Sequence, residues 1–441
     1  MTACDAAREA ALKALFAWDR EGEFADLAIK NVLSDAKLSP RDAGFATRLF
    51  YRTVEMRIYL DYRIARLSSM KLKKFHPAVL EILRLGACQI LLMDSVPDSA
   101  AVNTSGALCH ARKMSRASGM VNAILRKLCA EGDLPVEGTD AEALSLRYSH
   151  PLWLVECYCR EFVPSDAEKI LAANNAAPPV TVRVNTLKNS PDELREKLAG
   201  DGIDFLQDED ISVCGTLSDT GRIDEISAFR EGCFAVQDKA CVASVIAAGV
   251  RPGMRVLDLC AAPGGKSLCA AALMEGKGEI VSCDLHPHRV ELIRKNAERM
   301  GTDIISGETR DASSFDESLC KMFDLVICDV PCSGLGVIGK KPDLRYKDPD
   351  DFAALQELQK KIARNAVRYL KPGGRMIYST CTLRSAENGK IVASLLNEFS
   401  DLARVPFRVS DRIASESGEI TLLPHIHGTD GFYFAILEKR L

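Results

Sequence analysis

The chain has 441 residues, a length that predicts roughly three domains. Hydrophobic residues make up 47% and charged residues 27%, an ordinary globular composition with a sizeable core. The formal net charge of −4 excludes a uniformly basic nucleic-acid binder, and no apolar run reaches the roughly 18 residues of a membrane span. The charge is uneven. Residues 1–130 carry 20 Lys and Arg against 13 Asp and Glu, whereas the remainder carries 37 against 48. A basic module on an otherwise acidic chain is an electrostatic footprint for RNA, although solvated helix faces explain the charge alone equally well. The start, "MTACDAAREAALKALFAWDREGEF", is amphipathic and lacks a basic segment followed by an apolar core, so no secretory signal is read and a cytoplasmic protein is expected.

Residues 5–128 read as helices almost throughout. "AAREAALKALFAWD" has apolar residues at helical spacing. In "SPRDAGFATRLFYRTVEMRIYLDYRIARL", Ser39 and Pro40 are a cap and first-turn pair, and the apolar residues run on through Phe45, Leu49, Val54, Ile58 and Leu60. "HPAVLEILRLGACQILLM" is apolar nearly all round and predicts a buried central helix; "GMVNAILRKLCAEG" closes the set. The Gly/Pro/acidic stretch 131–140 marks a domain boundary. Next come a helical pair around Pro151, a strand at "VTVRV", and a strand-to-helix join in "AFREGCFAVQDKACVASVIAAG". From about residue 250 strands and helices alternate: "MRVLDLC", "GEIVSCDL", "FDLVICDVP", "RMIYSTCT" and the alternating "GFYFAILEK" are strands. A long helix is predicted between the last two core strands, capped by Asp348 and Pro349 and ending at Gly373. The pattern is α/β, a doubly wound parallel sheet, which binds ligands beyond the carboxyl ends of its strands.

"VLDLCAAPGGKS", Val256 to Ser267, is a strand ending in an acid and then a glycine turn opening a helix. It is neither GxGxxG nor a phosphate loop, whose spacing needs glycine at Cys260. Gly264 and Gly265 allow close backbone approach. Asp284 closes the next strand, where a carboxylate bonds ribose hydroxyls. Asp311 and Asp329 close two more. With Asp258, four acids surround the turn. They do not suit a polyphosphate; they suit a cationic ligand with ribose hydroxyls and an amino group, such as S-adenosylmethionine. Any single acid could instead be a helix cap.

Sixteen cysteines are scattered with no CxxC pair, so most are expected to be small buried hydrophobes and no disulfides are expected. The CxC of Cys157 and Cys159 and the HxH pairs His286/His288 and His425/His427 are read as non-ligating, the histidines as surface loop residues, and no metal is expected. Two cysteines stand apart. Cys332 in "DVPCSGLG" and Cys381 in "YSTCTLRS" each follow a strand-like run beside the ligand turn. Their positions alone do not decide which is a nucleophile and which a helper.

"DLCAAPGGK", "DVPCSG" and "STCT", with "VRVNTLK", "FAVQDKA" and "GTDGFYFA" in that order, resemble the RNA 5-methylcytosine methyltransferases. "LRLGACQILLMDSVPDSAAVN" and "GMVNAILRKL" resemble an antitermination-factor (NusB-like) domain, and the combination resembles the ribosomal small-subunit methyltransferase B group. One departure is Lys341 in "GKKPDLRY", where the family usually carries His. The resemblance implies an all-α NusB-like RNA-binding domain over 1–132, a small α+β connecting, RNA-contacting domain over 143–235, and a Rossmann-like catalytic domain over 236–441. It implies S-adenosylmethionine bound by Cys260, Ala261, Ala262, Pro263, Gly264, Gly265, Lys266, Asp284, Asp311 and Asp329. It assigns Cys381 as the nucleophile that adds to cytosine carbon 6 and Cys332 to assisting product release; polarising the ring is a job for a nearby acid, and Asp329 at its strand end is suitably placed for it. The implied substrate is a cytosine of 16S ribosomal RNA, with no DNA or membrane partner and a monomeric state. The competing expectations are the same chemistry on transfer RNA, and an RNA-binding assembly factor with little catalysis.

Overall fold

The computed structural model describes residues 5–441. The chain forms two compact units. The first comprises residues 5–176 together with Ile338–Lys347, and the second Ala177–Val337 with Asp348–Leu441.

The first unit is helical. Asp5 caps Ala6–Glu21, and Ser39 accepts from the Asp42 amide at the start of Pro40–Glu55. The helical run predicted from Ser39 to Leu67 is two helices, Pro40–Glu55 and Arg57–Leu67, broken at Met56. The break has a local cause: the Ser149 hydroxyl accepts from the amides of Ile58 and Tyr59, replacing the acceptors a continuous helix would supply. The helix Pro77–Leu92 is buried as predicted, and its buried polar groups are all engaged. Arg84 donates to both oxygens of Asp61 at 2.7 Å and pairs with Glu81, and Gln89 accepts from Arg8. Residues 131–140 are gripped rather than free. Arg63 binds Glu131, the Gly132 carbonyl and Asp133, and Arg147 donates to the carbonyls of Val136 and Gly138. Helices Ala141–Tyr148, Leu152–Glu161 and Pro164–Ala173 complete the unit. Cys157 is buried on the second of these while Cys159 is exposed, so the CxC pair does not converge.

Into this unit runs Ile338–Lys347. Arg345 is fully buried there. It donates to the carbonyls of Glu55, Ser149 and Asn174 and to the Asn175 side chain. Tyr346 donates to the Val54 carbonyl and meets the Trp18 ring edge-on at 5.6 Å. Lys341 is exposed at the start of this segment.

The second unit holds two larger sheets and a two-stranded ribbon. The smaller is antiparallel, formed by β1 (Val180–Val184), β2 (Asp204–Gln207), β3 (Cys214–Ser218) and β4 (Phe234–Val236) in the order β2-β3-β1-β4. Only β1 and β4 are marked by their sequences. β3, "CGTLS", has little strand character, and Gly215 is there because a Cβ would lie 2.3 Å from the Phe205 ring.

The larger sheet contains β5 (Arg255–Asp258), β6 (Glu279–Asp284), β7 (Ile305–Thr309), β8 (Phe323–Asp329), β9 (Leu370–Thr380) and β10 (Leu402–Arg404). A short ribbon, β11 (Phe407–Arg408) with β12 (Ala414–Ser415), precedes β13 (Glu419–Leu422) and β14 (Phe432–Lys439). The sheet order is β10-β14-β9-β8-β5-β6-β7, with β13 also paired to β14. Strands β9-β8-β5-β6-β7 are parallel, whereas β14 runs antiparallel to β9. The doubly wound parallel sheet predicted from the sequence is therefore a mixed sheet, because the chain returns after β9 through short antiparallel strands. Alternate residues supply two layers. Leu257, Val281, Val326 and Met376 face the helices Phe352–Tyr369 and Gly389–Glu398. Val256, Ile280, Leu325 and Ile377 face Lys239–Ala247 and Gly265–Leu273. Burial on both faces explains the near-continuous apolar runs of these strands. It also corrects the reading of β14 as alternating: Phe432 to Leu437 are all buried. The long helix ends at Tyr369 rather than at Gly373, because Leu370 already pairs with Phe323 in the sheet.

Candidate active site

The glycine turn lies between β5 and the helix Gly265–Leu273, at the carboxyl edge of the parallel strands. Gly264 has φ +102°, a conformation that a side chain strains. The turn is pinned from outside by Arg289, which donates to the Ala262 carbonyl, and by Asn296, which donates to that of Pro263. From inside, the Ala261 amide reaches the Cys283 carbonyl at 2.8 Å. Cys260 and Ala262 are half-buried, Ala261 is buried and Pro263 exposed. A Cβ on Gly265 would sit 3.3 Å from Gln237 Nε2, tighter than an ordinary contact, so glycine suits the start of the helix.

The four acids have different surroundings. Asp258 is buried and accepts from Ser267 at 2.7 Å, and Ser267 in turn accepts from Ser282. Burial pushes its pKa up to about 7. Asp258 is thus an internal brace beneath the turn. Asp284 ends β6, accepts from the His286 amide and faces Arg289 at 3.4 Å. Asp311 lies just past β7, exposed, with its oxygens taken by Ser313 and Ser314; the Ser313 bonds hold its pKa below the usual range. Asp329 ends β8, accepts from the Ser379 hydroxyl at 2.6 Å and pairs with Lys266 Nζ at 2.7 Å.

The sequence places Lys266 among the residues of the ligand turn. The structure gives it more. It is buried, its ammonium lies 3.5 Å from Cys241 Sγ and 5.1 Å from the centre of the Phe432 ring, and it neutralises Asp329. Burial opposes its charge, but Asp329 and Cys241 outweigh that and hold its pKa above the ordinary lysine range.

Cys332 and Cys381 are half-buried, just beyond the ends of the neighbouring parallel strands β8 and β9, with their sulfurs 3.0 Å apart. One thiol donates to the other. The Cys332 bond lowers the Cys381 pKa against burial, and nearby Lys266 lowers it further. Cys332 is pushed well above the usual thiol range by the same bond and by burial. The contact thus favours ionisation of Cys381 over Cys332. Among the described residues no group of three or more His, Cys, Asp or Glu is arranged for a metal ion. The two HxH pairs differ: His286 and His288 stack in the open, but His427 is buried and its ring engages the backbone of Leu423, which corrects the surface reading for that residue.

Two features of the cysteine loops escaped the sequence reading. Glu387 is fully buried and binds both loops. Gly336 and Gly431 form a backbone crossing: the Gly336 amide donates to the Cys381 carbonyl, and the Gly431 amide to the Gly336 carbonyl. The paired glycines in "CSGLG" and "GTDG" were the available signal. A Cβ at Gly336 would lie 1.8 Å from the Gly431 carbonyl oxygen, and backbone cannot rotate aside as a side chain can. Gly336→Ala is expected to destabilise the second unit by about 1–3 kcal/mol, the usual range for overpacking, and to separate the sulfurs. Thermal unfolding and thiol alkylation rates check this; wild-type values for both would refute the crossing as a constraint.

The model of the 16S rRNA methyltransferase RsmB/F family matches residues 245–438, that of the NusB family residues 5–130, and that of a ferredoxin-like domain of RsmF/B-like methyltransferases residues 150–224. A probable ribosomal RNA small subunit methyltransferase B of Bacillus subtilis is 34% identical over 98% of this chain and 98% of its own. The ribosomal RNA small subunit methyltransferase B of Pseudomonas putida is 32% identical over 91% and 92%. The crystal structure of PH0851 superposes with a TM-score of 0.82 at 26% identity, covering 100% of both chains. A methyltransferase homologue from Pyrococcus horikoshii gives 0.58 at 27% identity over 68% of this chain and 98% of its own. With its three-part family pattern and relatives matched over nearly their whole length, the chain belongs to the ribosomal RNA small subunit methyltransferase B family.

Proposed function

We propose that this methyltransferase transfers a methyl group from S-adenosylmethionine to carbon 5 of a cytosine in 16S ribosomal RNA. The observation that carries the reading is the pair of sulfurs 3.0 Å apart, beside the Lys266–Asp329 ion pair and the glycine turn. The relatives' names supply the RNA class.

The residues around the turn fit the cofactor. Bare backbone at Gly264 and Gly265 admits a close ligand, and no phosphate-binding lysine loop is present. Residues 260–266, with Asp284, Asp311 and Asp329, would hold it. The cofactor supplies an electrophilic methyl group on a sulfonium cation. The protein's part is to make carbon 5 nucleophilic. The Cys381 thiolate adds to carbon 6, forming a C–S bond, and the electron pair moves to carbon 5. Asp329, held by Lys266 and Ser379, polarises the ring at N3 and N4 as charge develops. After methylation the carbon 5 proton passes to solvent, its bonding pair re-forms the carbon 5–carbon 6 double bond, and the Cys381 sulfur departs with the C–S electron pair, assisted by Cys332. The target cytosine must be unpaired or flipped to reach the thiols.

Incubation with cofactor labelled in the methyl group and with separated ribosomal and transfer RNAs, followed by mapping of the modified base, tests this. Label in 5-methylcytosine of 16S RNA is expected. Label confined to transfer RNA would move the substrate, and no 5-methylcytosine in any RNA would remove the reading.

A further inference from the structure

Glu387 lies in the short 3-10 turn Ser385–Glu387, six residues after Cys381, and is completely buried. A fully buried carboxylate is costly unless every oxygen is engaged. Here one oxygen accepts from the Ser333 amide at 2.9 Å and from Gln359 Nε2 at 3.0 Å, and the other pairs with Arg384 at 3.0 Å. Gln359 also donates to the Pro331 carbonyl, so Glu387 and Gln359 hold the residues on either side of Cys332. Arg384 and Thr382 belong to the loop of Cys381, and Thr382 meets Ser333 hydroxyl to hydroxyl at 2.7 Å. The main-chain oxygen of Glu387 accepts from Tyr378 in β9. A single buried acid thus joins the two cysteine loops, a strand and the helix Phe352–Tyr369.

We propose that Glu387 is a positioning residue that holds Cys332 and Cys381 in hydrogen-bond contact and, by its negative charge beside the Cys332 loop, keeps the shared proton on Cys332. Cys381 is then the member of the pair that presents sulfur as the nucleophile. The inference rests on the two-cysteine reading above. The charged and titratable groups facing the pair are consistent with this division. Glu387 and Tyr378 face Cys332; Lys266, Asp329 and Asp430 face Cys381. Of these, Lys266 is on the Cys381 side, and Glu387, next to Ser333 and itself paired with Arg384 at 3.0 Å, is on the other.

The test is site-resolved alkylation of the full chain with iodoacetamide near neutral pH, with each cysteine peptide quantified by mass spectrometry. In the wild-type protein Cys381 is expected to react faster than Cys332. Glu387→Gln keeps the side chain's size but removes its charge. It is expected to reduce that preference by about tenfold, the equivalent of one pKa unit. Arg384→Gln removes the counter-charge instead, so the preference for Cys381 should be retained or increased. These opposite signs separate an electrostatic role from packing. Wild-type selectivity in Glu387→Gln would overturn the proposal, as would equal loss in both variants. If Glu387→Gln does not fold, a lost preference in folded Arg384→Gln overturns it alone. Absence of any preference in the wild-type protein would instead remove the two-cysteine reading on which it rests.

Discussion

Cys381→Ala is expected to abolish methyl transfer, by about 10⁴-fold or more, the scale on which enzymes respond to loss of a nucleophile. Cys332→Ala should behave differently. It leaves the Cys381 sulfur able to add to the base but removes the partner thiol 3.0 Å away. The methylated base should then remain attached, and a protein–RNA adduct should accumulate on a denaturing gel with little turnover. The double variant should give neither adduct nor product. The contrast is diagnostic because a merely structural pair would lose activity in both single variants without any adduct. An adduct in Cys381→Ala rather than in Cys332→Ala would exchange the two roles.

The second large effect is expected from Lys266→Met. The change removes the cation from a buried pair and leaves Asp329 with only the Ser379 hydroxyl. Breaking a buried pair from one side costs about 3–5 kcal/mol, and the partial exposure of Asp329 places this case near about 3. For a unit of this size that is a fall in melting temperature of roughly 6–12 °C. A chemical effect should accompany it. Lys266 favours the thiolate of Cys381, so without it the thiol's pKa rises and alkylation of Cys381 moves to higher pH. Methyl transfer should fall on the order of 10²-fold, as when one preorganised electrostatic group is lost. An unchanged melting temperature together with an unchanged alkylation profile would mean that the ion pair contributes to neither.

How much of this was legible follows from the range of the interactions. The parallel strands β5, β6, β8 and β9 were readable because their apolar runs are buried on both faces, unlike the part-exposed β7, and the turn at Gly264 because its backbone conformation restricts the residue type locally. Asp284 and Asp329 were found as strand-ending acids, since position along a parallel strand fixes the edge on which a side chain lies. The same rule does not say what each acid bonds. Asp258 braces Ser267 from within and Asp329 is neutralised by Lys266, contacts set by tertiary packing across 9 and 63 residues of chain. Glu387 was invisible for the same reason: nothing in "LRSAENGK" marks a glutamate as buried, and its partners Ser333 and Gln359 are far away in sequence. The short antiparallel strands β2, β3 and β10 to β13 lack alternation long enough to register as strands.

The excursion of Ile338–Lys347 has a consequence for biosynthesis. Residues 5–176 leave the ribosome long before the segment that completes their packing. Arg345 and Tyr346, which engage the carbonyls of Val54, Glu55, Ser149 and Asn174, follow about 170 residues later. At about 5–20 residues per second, the nascent first unit waits roughly 10–30 s with these acceptors served by water alone. Its final closure therefore comes only after the cysteine loop at residue 332 has been made, so the order of synthesis ties the finished N-terminal unit to a chain that already carries the first of the two contacting cysteines.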